Sequence, residues 1–165
     1  MTDRAGHEDA REGSAADGVR DRLTDIDDII RRKAHYGILV DRLVSEPADA
    51  KALDSLAALF TSDARFDFGG RIGTFLGSLG LRAFYGGTLP AQRAWVWHSF
   101  HSPCVDVDGD TATAQWTISA LAVSRGAEDQ PPQAIYGRYR DRLERVDGEW
   151  LQSELVFVNE TRTPS

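Results

Sequence analysis

Two histidines stand three residues apart in "WVWHSFHS", residues 95–102, between tryptophans and a phenylalanine. Imidazoles are the usual side chains for proton transfer or metal binding near neutral pH. On an extended strand, positions i and i+3 point to opposite faces. His98 then shares a face with Val96 and Phe100, and His101 shares one with Trp95, Trp97 and Ser99. The pair cannot chelate one ion without an intervening bulge, for which Pro103 offers a place. No third ligand accompanies them, so no metal site is expected. His98, on the face turned toward the helices, is either a proton-transfer group or a buried imidazole satisfied by backbone carbonyls. His101 belongs with the tryptophans on a face that suits a subunit interface.

A carboxylate supplies the second clue. On a helical wheel at about 100° per residue, Asp41 falls roughly 40° from Gly37, on the stripe that carries Leu23, Ile30 and Ala34. An acid on an apolar stripe needs an ion pair, hydrogen bonds or a polar cavity. Arg138 or Arg140 could supply the ion pair. Lys33 lies on the same stripe, but roughly 12 Å along the axis from Asp41. Tyr36 sits at the stripe's other margin, about 140° around from Asp41. It reads as a packing residue with a wet hydroxyl, or as a hydrogen-bond donor to a ligand.

The elements that would position these residues follow from periodicity. Residues 1–22 are rich in Gly, Ala, Asp, Glu and Arg, and read as a flexible tail. From Thr24, which resembles a capping residue with Asp27, a helix runs to just before Pro47. A second helix follows in "DAKALDSLAALF", then a short strand in "ARFDF" and a glycine-rich bend. A third helix in "SLGLRAFYGG" is expected to end at Gly86–Gly87. After Pro90 the period becomes two, which predicts strands over 94–107, 111–124, 133–146 and 149–160. The hairpin signals "VDGDT" and "VDGEW" join the outer pairs. The alternation Ala112, Ala114, Trp116, Ile118, Ala120 leaves small residues on one face, with room for a cavity. In "GRYRDRLER", Tyr139 and Leu143 take one face and the charges read as solvated.

The wider composition excludes several classes. The chain has 165 residues and a formal charge of −7, which speaks against a nucleic-acid surface. No apolar run approaches the roughly 20 residues of a membrane span. Cys104 is the single cysteine, so there is no internal disulfide and no cysteine zinc cluster. The N-terminus lacks the apolar centre of a secretory signal, so a cytoplasmic location is expected.

"LAALFTSDARFDF", "GTFLGSLGLRAFY", "HSFHSPCVDVDGDTATAQW" and "YGRYRDRLERVDGEWLQSELVFV" together resemble the SnoaL-like branch of the nuclear-transport-factor-2-like superfamily. The resemblance implies a single α+β domain over 23–160, with a short tail at 161–165. Its fold would be a cone-shaped barrel of three N-terminal helices packed on a strongly curved, mostly antiparallel sheet. It also implies a homodimer through the outer sheet face. Polyketide cyclases, scytalone dehydratase, bile-acid 7α-dehydratase, ketosteroid isomerase and limonene-epoxide hydrolase belong to this superfamily, beside noncatalytic ligand binders. In dehydratase-like members a Tyr and an Asp five residues apart on the first helix line the pocket, the spacing of Tyr36 and Asp41. Their strand histidine lies eleven residues before the hairpin glycine, as His98 does before Gly109. The second ionisable group that such enzymes often take from the next strand is missing from "ISALAVS".

The implied function is acid–base chemistry of the dehydratase, isomerase or cyclase type, without cofactor or metal, on an apolar, polycyclic or steroid-like ligand. His98 would move the proton, Asp41 would orient it, and Tyr36 would bond a substrate oxygen, with Phe66, Phe68, Phe100 and Trp116 lining the pocket. The alternatives are a noncatalytic small-ligand binder and a structural, dimerising subunit. A cavity with Asp41 and His98 in hydrogen-bond reach favours the enzyme. A cavity without that contact favours the binder, and no cavity favours the subunit.

Overall fold

The computed structural model describes residues 5–161 apart from Arg71, with side chains described from Asp21 onward. Helix α1 (Ala5–Ser45) is followed by α2 (Ala50–Ala57), β1 (Phe60–Asp67), β2 (Thr74–Leu76) and α3 (Gly77–Ala83). A π-helical turn (Phe84–Thr88) leads into α4 (Leu89–Gln92), and then come β3 (Arg93–Asp108), β4 (Thr111–Ser124), β5 (Gln133–Val146) and β6 (Glu149–Asn159). The four long strands lie where the alternation put them.

The helical region departs from expectation in three places. Helix α1 is helical from Ala5, so Thr24 lies inside it rather than at its start. The Ala, Glu and Arg content upstream is helix-forming enough to carry the turn backward. The ends of the expected tails, 1–4 and 162–165, fall outside the described residues. The third helix does not stop at Gly86–Gly87 but continues through the π turn into a fourth. Gly86 suits this path because a Cβ there would meet Leu53 Cδ2 at 3.0 Å, so the glycine permits close packing on α2.

The buried ridge of α1 is also rotated from the stripe read off the wheel. Ile29, Lys33, Tyr36, Val40 and Leu43 are buried, whereas Leu23 and Ile38 are exposed. Tyr36 is therefore at the centre of the ridge and Asp41 at its edge. Lys33, read on the stripe but without a partner, is buried because it has a buried partner, described below.

The sheet order is β2-β1-β6-β5-β4-β3, antiparallel except for the parallel β1–β6 pair. It is curled but not closed, with β2 and β3 as free edges. In the β5–β6 hairpin, Asp147 (φ 51°) and Gly148 (φ 84°) both take left-handed backbone, as a two-residue turn between right-twisted strands requires. Helix α1 crosses the concave face and is tied to the hairpin by Asp25, which accepts from Trp150 Nε1 (3.1 Å) and pairs with Arg145 (2.7 Å).

Candidate active site

Strand β3 pairs with β4 in a register that sets His98 opposite Ala120 and Phe100 opposite Ile118, all on the concave face. Trp97 faces Leu121, and His101 faces Thr117, on the outer side. The register shifts between His101 and Cys104, where Ser102 has φ 47°, so a bulge does follow the histidines. It comes too late to bring His101 round. Among the described residues, no three ligating side chains gather in a way that could hold a metal ion.

His98 Nδ1 lies 2.5 Å from Asp41 Oδ1, and the His98 backbone N–H donates to Asp41 Oδ2 at 3.1 Å. One carboxylate thus holds both the ring and the strand that carries it. The ion pair considered for Asp41 with Arg138 or Arg140 does not form. Both arginines sit on the convex face by strand alternation, and Arg138 pairs with Glu160 at 3.5 Å. With a carboxylate accepting at Nδ1, the proton resides there and Nε2 is left as the basic nitrogen. Among the described residues Nε2 makes no hydrogen bond.

His98 lines a cavity of about 100 Å³ together with Tyr36, Val40, Phe68, Tyr85 and Tyr139. Ile118, Ala120 and Ala122 form its floor, whereas Ala112, Ala114 and Trp116 of the same alternation do not line it. The cavity wall includes the exposed Ile72 and Gln92, which mark its mouth. Asp41 is not on this wall. It lies behind the imidazole, beside a separate groove between α1 and β3 that also borders His98.

Of the aromatic residues expected to line the pocket, only Phe68 does. Phe66 is fully buried against Phe60, with ring centroids 4.8 Å apart. Phe100 lies parallel to the His98 ring at 6.0 Å and faces the groove. Trp116 donates from Nε1 to the buried Asp141 at 2.7 Å. Strand parity places all three on the concave face but says nothing of depth, and α1 covers that part of the sheet.

The Tyr36 hydroxyl is not wet. It is buried and shares a 2.9 Å hydrogen bond with the Tyr85 hydroxyl. Tyr139 is buried beside it, with ring centroids 6.1 Å apart. Burial, the largest cause in each, holds all three phenols well above their ordinary titration range, so they are neutral hydrogen-bond donors. Tyr85 and Tyr139 are site residues that the sequence reading did not single out. The π turn that sets Tyr85 inward has no local signature, whereas Tyr139 was visible on the inner parity of β5.

A buried ion pair lies under these rings. Lys33 Nζ is 2.8 Å from Asp141 Oδ2, 4.1 Å from the Tyr139 ring centre and 4.7 Å from that of Tyr36. The alternation of "GRYRDRLER" holds the missed signal: Asp141 lies between Tyr139 and Leu143 on their own face, not with the solvated arginines.

Gly37 lets β3 approach α1 at the dyad. A Cβ there would stand 2.7 Å from Phe100 Cε2 and 3.7 Å from His98 Cβ. Gly37→Ala is expected to force the Phe100 ring aside and cost about 1–3 kcal/mol by overpacking. Denaturant unfolding would check this, and a neutral result would show that Phe100 yields freely.

Comparison with known proteins agrees with this architecture. A hexachlorocyclohexane dehydrochlorinase, LinA-type3, from Novosphingobium barchaimii superposes with a TM-score of 0.73 at 23% identity, covering 88% of this chain and 92% of that one. A Novosphingobium aromaticivorans protein, provisionally described as a scytalone dehydratase, gives 0.71 at 20% identity over 85% and 87% of the two chains. A nuclear-transport-factor-2-like protein from Salmonella enterica gives 0.70 at 19% identity over 87% and 96%. At these identities the likeness shows the fold. No curated protein matches the chain. No described helix is long and apolar enough to cross a membrane. The model of the SnoaL-like domain matches residues 21–156, most of the length, and the chain belongs to that family.

Proposed function

We propose that the protein is an acid–base enzyme of the elimination or isomerisation type, using its own side chains on a small, mainly apolar molecule. The observation that carries this is the 2.5 Å contact between His98 and Asp41, made at the wall of a cavity. Nε2 would take a proton from a carbon beside a carbonyl. The C–H electron pair forms the new C=C bond, and a leaving group on the next carbon departs with its own pair. In an isomerisation the proton returns at another carbon instead. Asp41 offsets the imidazolium charge, and the phenol cluster of Tyr36, Tyr85 and Tyr139 offers neutral donors to the oxygen that gains charge. The dehydratase and dehydrochlorinase descriptions of the similar structures name eliminations, which is consistent with this reading.

The cavity volume narrows the ligand. An apolar cavity of roughly 150 Å³ takes a benzene molecule, so about 100 Å³ suits a short branched chain or part of one ring within the walls, the remainder lying at the mouth. The rest of a polycyclic or steroid-like ligand would extend past the mouth. Self-association through the outer sheet face belongs to the same proposal. Trp95, Trp97, Leu121 and Tyr136 are all exposed there.

The test is incubation in deuterated water with a panel of single-ring β-hydroxyketones and enones, followed by NMR. Enzyme-dependent deuterium uptake beside the carbonyl, or loss of water, is expected for at least one. Recovery of every compound unchanged would favour the second reading, a noncatalytic binder. That reading draws on β4, whose cavity-facing residues Ile118, Ala120 and Ala122 offer no second ionisable group.

A further inference from the structure

The start of β3 carries a second register shift, between Arg93 and Trp95, that the dyad does not explain. Arg93 has the parity of Trp95 and Trp97, so a regular strand would turn it outward. The extra residue, Ala94, reverses that. Arg93 pairs with Ser124, and Ser124 continues the concave-face series Ala120, Ala122 on β4. Bulges re-aim side chains in this way beside functional sites. The result is a guanidinium on the cavity wall, next to Gln92 at the mouth.

Arg93 Nη1 donates to Ser124 Oγ at 2.7 Å. Among the described residues Arg93 pairs with no carboxylate, and no Asp or Glu lines the cavity. Arg93 is thus the one permanently charged side chain on the described wall, and four of its five N–H groups remain for a ligand. Its backbone is braced rather than loose. The Arg125 guanidinium donates to Pro90 O at 3.0 Å and to Arg93 O at 3.1 Å, and the Arg125 backbone N–H donates to Gln92 O at 2.9 Å. A planar fork held in place at the mouth of an apolar, carboxylate-free cavity matches the geometry of a carboxylate.

We infer that the ligand of this cavity is an apolar molecule bearing a carboxylate, and that Arg93 binds that group and sets the ligand's direction. The inference rests on the cavity being the reaction site. With Ala94 bulged out, the partners of Arg93 and His98 on β4 are Ser124 and Ala120, roughly 13 Å apart along the strand at the usual rise. The anionic end therefore lies away from the proton transfer, and Arg93 governs binding rather than the chemical step.

The test uses 3-phenylpropanoate and its neutral isostere 3-phenylpropanamide, titrated calorimetrically against the full chain. The acid is expected to bind at least about tenfold more tightly than the amide. Arg93→Gln, which keeps a donor for Ser124, should abolish that preference. Arg93→Lys should restore part of it. Equal affinities in the wild type, which needs no variant to fold, would overturn the inference. So would a preference that survives in Arg93→Gln, or no binding of either compound. The readout is independent of turnover. Acid preference without deuterium exchange on any substrate would sink the enzyme reading and leave Arg93 as assigned. Exchange on neutral ketones with no acid preference would do the reverse.

Discussion

Asp41→Asn and His98→Ala are each expected to lower turnover by about 10²–10⁴-fold, the usual worth of a positioned acid–base group. The two changes act differently. His98→Ala removes the basic nitrogen and leaves Asp41 with the backbone N–H of residue 98. Asp41→Asn keeps the shape but removes the charge that offsets an imidazolium. If the new amide presents its NH₂ to Nδ1, the ring proton must move to Nε2, and the base is lost altogether. Since Asp41 does not line the cavity, its replacement should leave 3-phenylpropanoate binding unchanged while kcat falls. That split separates a role in the chemical step from a general loosening of the site. Retention of more than a tenth of the wild-type rate in either variant would remove the dyad from the mechanism.

The second large effect is on stability. Lys33 and Asp141 are 3% and 4% exposed, and their ion pair is buried with them. Burial pulls the Lys33 ammonium below its ordinary range against the opposing pull of Asp141. Burial likewise pushes the Asp141 carboxyl up against Lys33 and the Trp116 N–H. In both groups desolvation outweighs the partner, so the pair holds its structure at a cost. Lys33→Met strands a buried carboxylate and is expected to destabilise the fold by about 3–5 kcal/mol at neutral pH. Lys33→Met combined with Asp141→Asn, which keeps an acceptor for Trp116, should recover most of that loss.

The pH dependence follows from the sign of the Asp141 shift. A carboxyl raised in the folded state contributes stability that is present below its unfolded value of 3.8 and is lost as pH rises through the folded value. In Lys33→Met only the Trp116 and Gln152 hydrogen bonds oppose the rise, so the variant should lose stability as pH climbs out of the ordinary carboxylate range. Urea unfolding at pH 5 and pH 8 measures this. An equal deficit at both values, or a double variant no better than the single, would show that packing rather than charge sets the cost.

Much of this site was legible without coordinates. The strands of the meander, the inward face of the β4 alanines and the inward face of His98 all follow from alternation. That pattern is a property of neighbouring residues and is written locally. Asp41 stood out because an acid on an apolar stripe requires a partner, and the partner proved to be His98 and not an arginine. The same reasoning applied to β5 would have found Asp141, which shares the inner parity of Tyr139 and Leu143.

What stayed hidden depends on the third dimension. A single extra residue at Ala94 reverses the face of Arg93, and period-two reading cannot register it. The π turn after α3 places Tyr85 against Tyr36, a contact between residues 49 apart in the chain. Depth is the third case: Phe66, Phe68, Phe100 and Trp116 share a face, yet α1 separates them into core, cavity and groove. The sequence by itself determined the strands, their faces and the acid–base candidates, because those rest on short-range periodicity and the cost of burying a charge, and its resemblance to a family implied the fold. The tertiary structure alone decided which groups meet and how deep they lie, because that is set by where α1 comes to rest across the curled sheet.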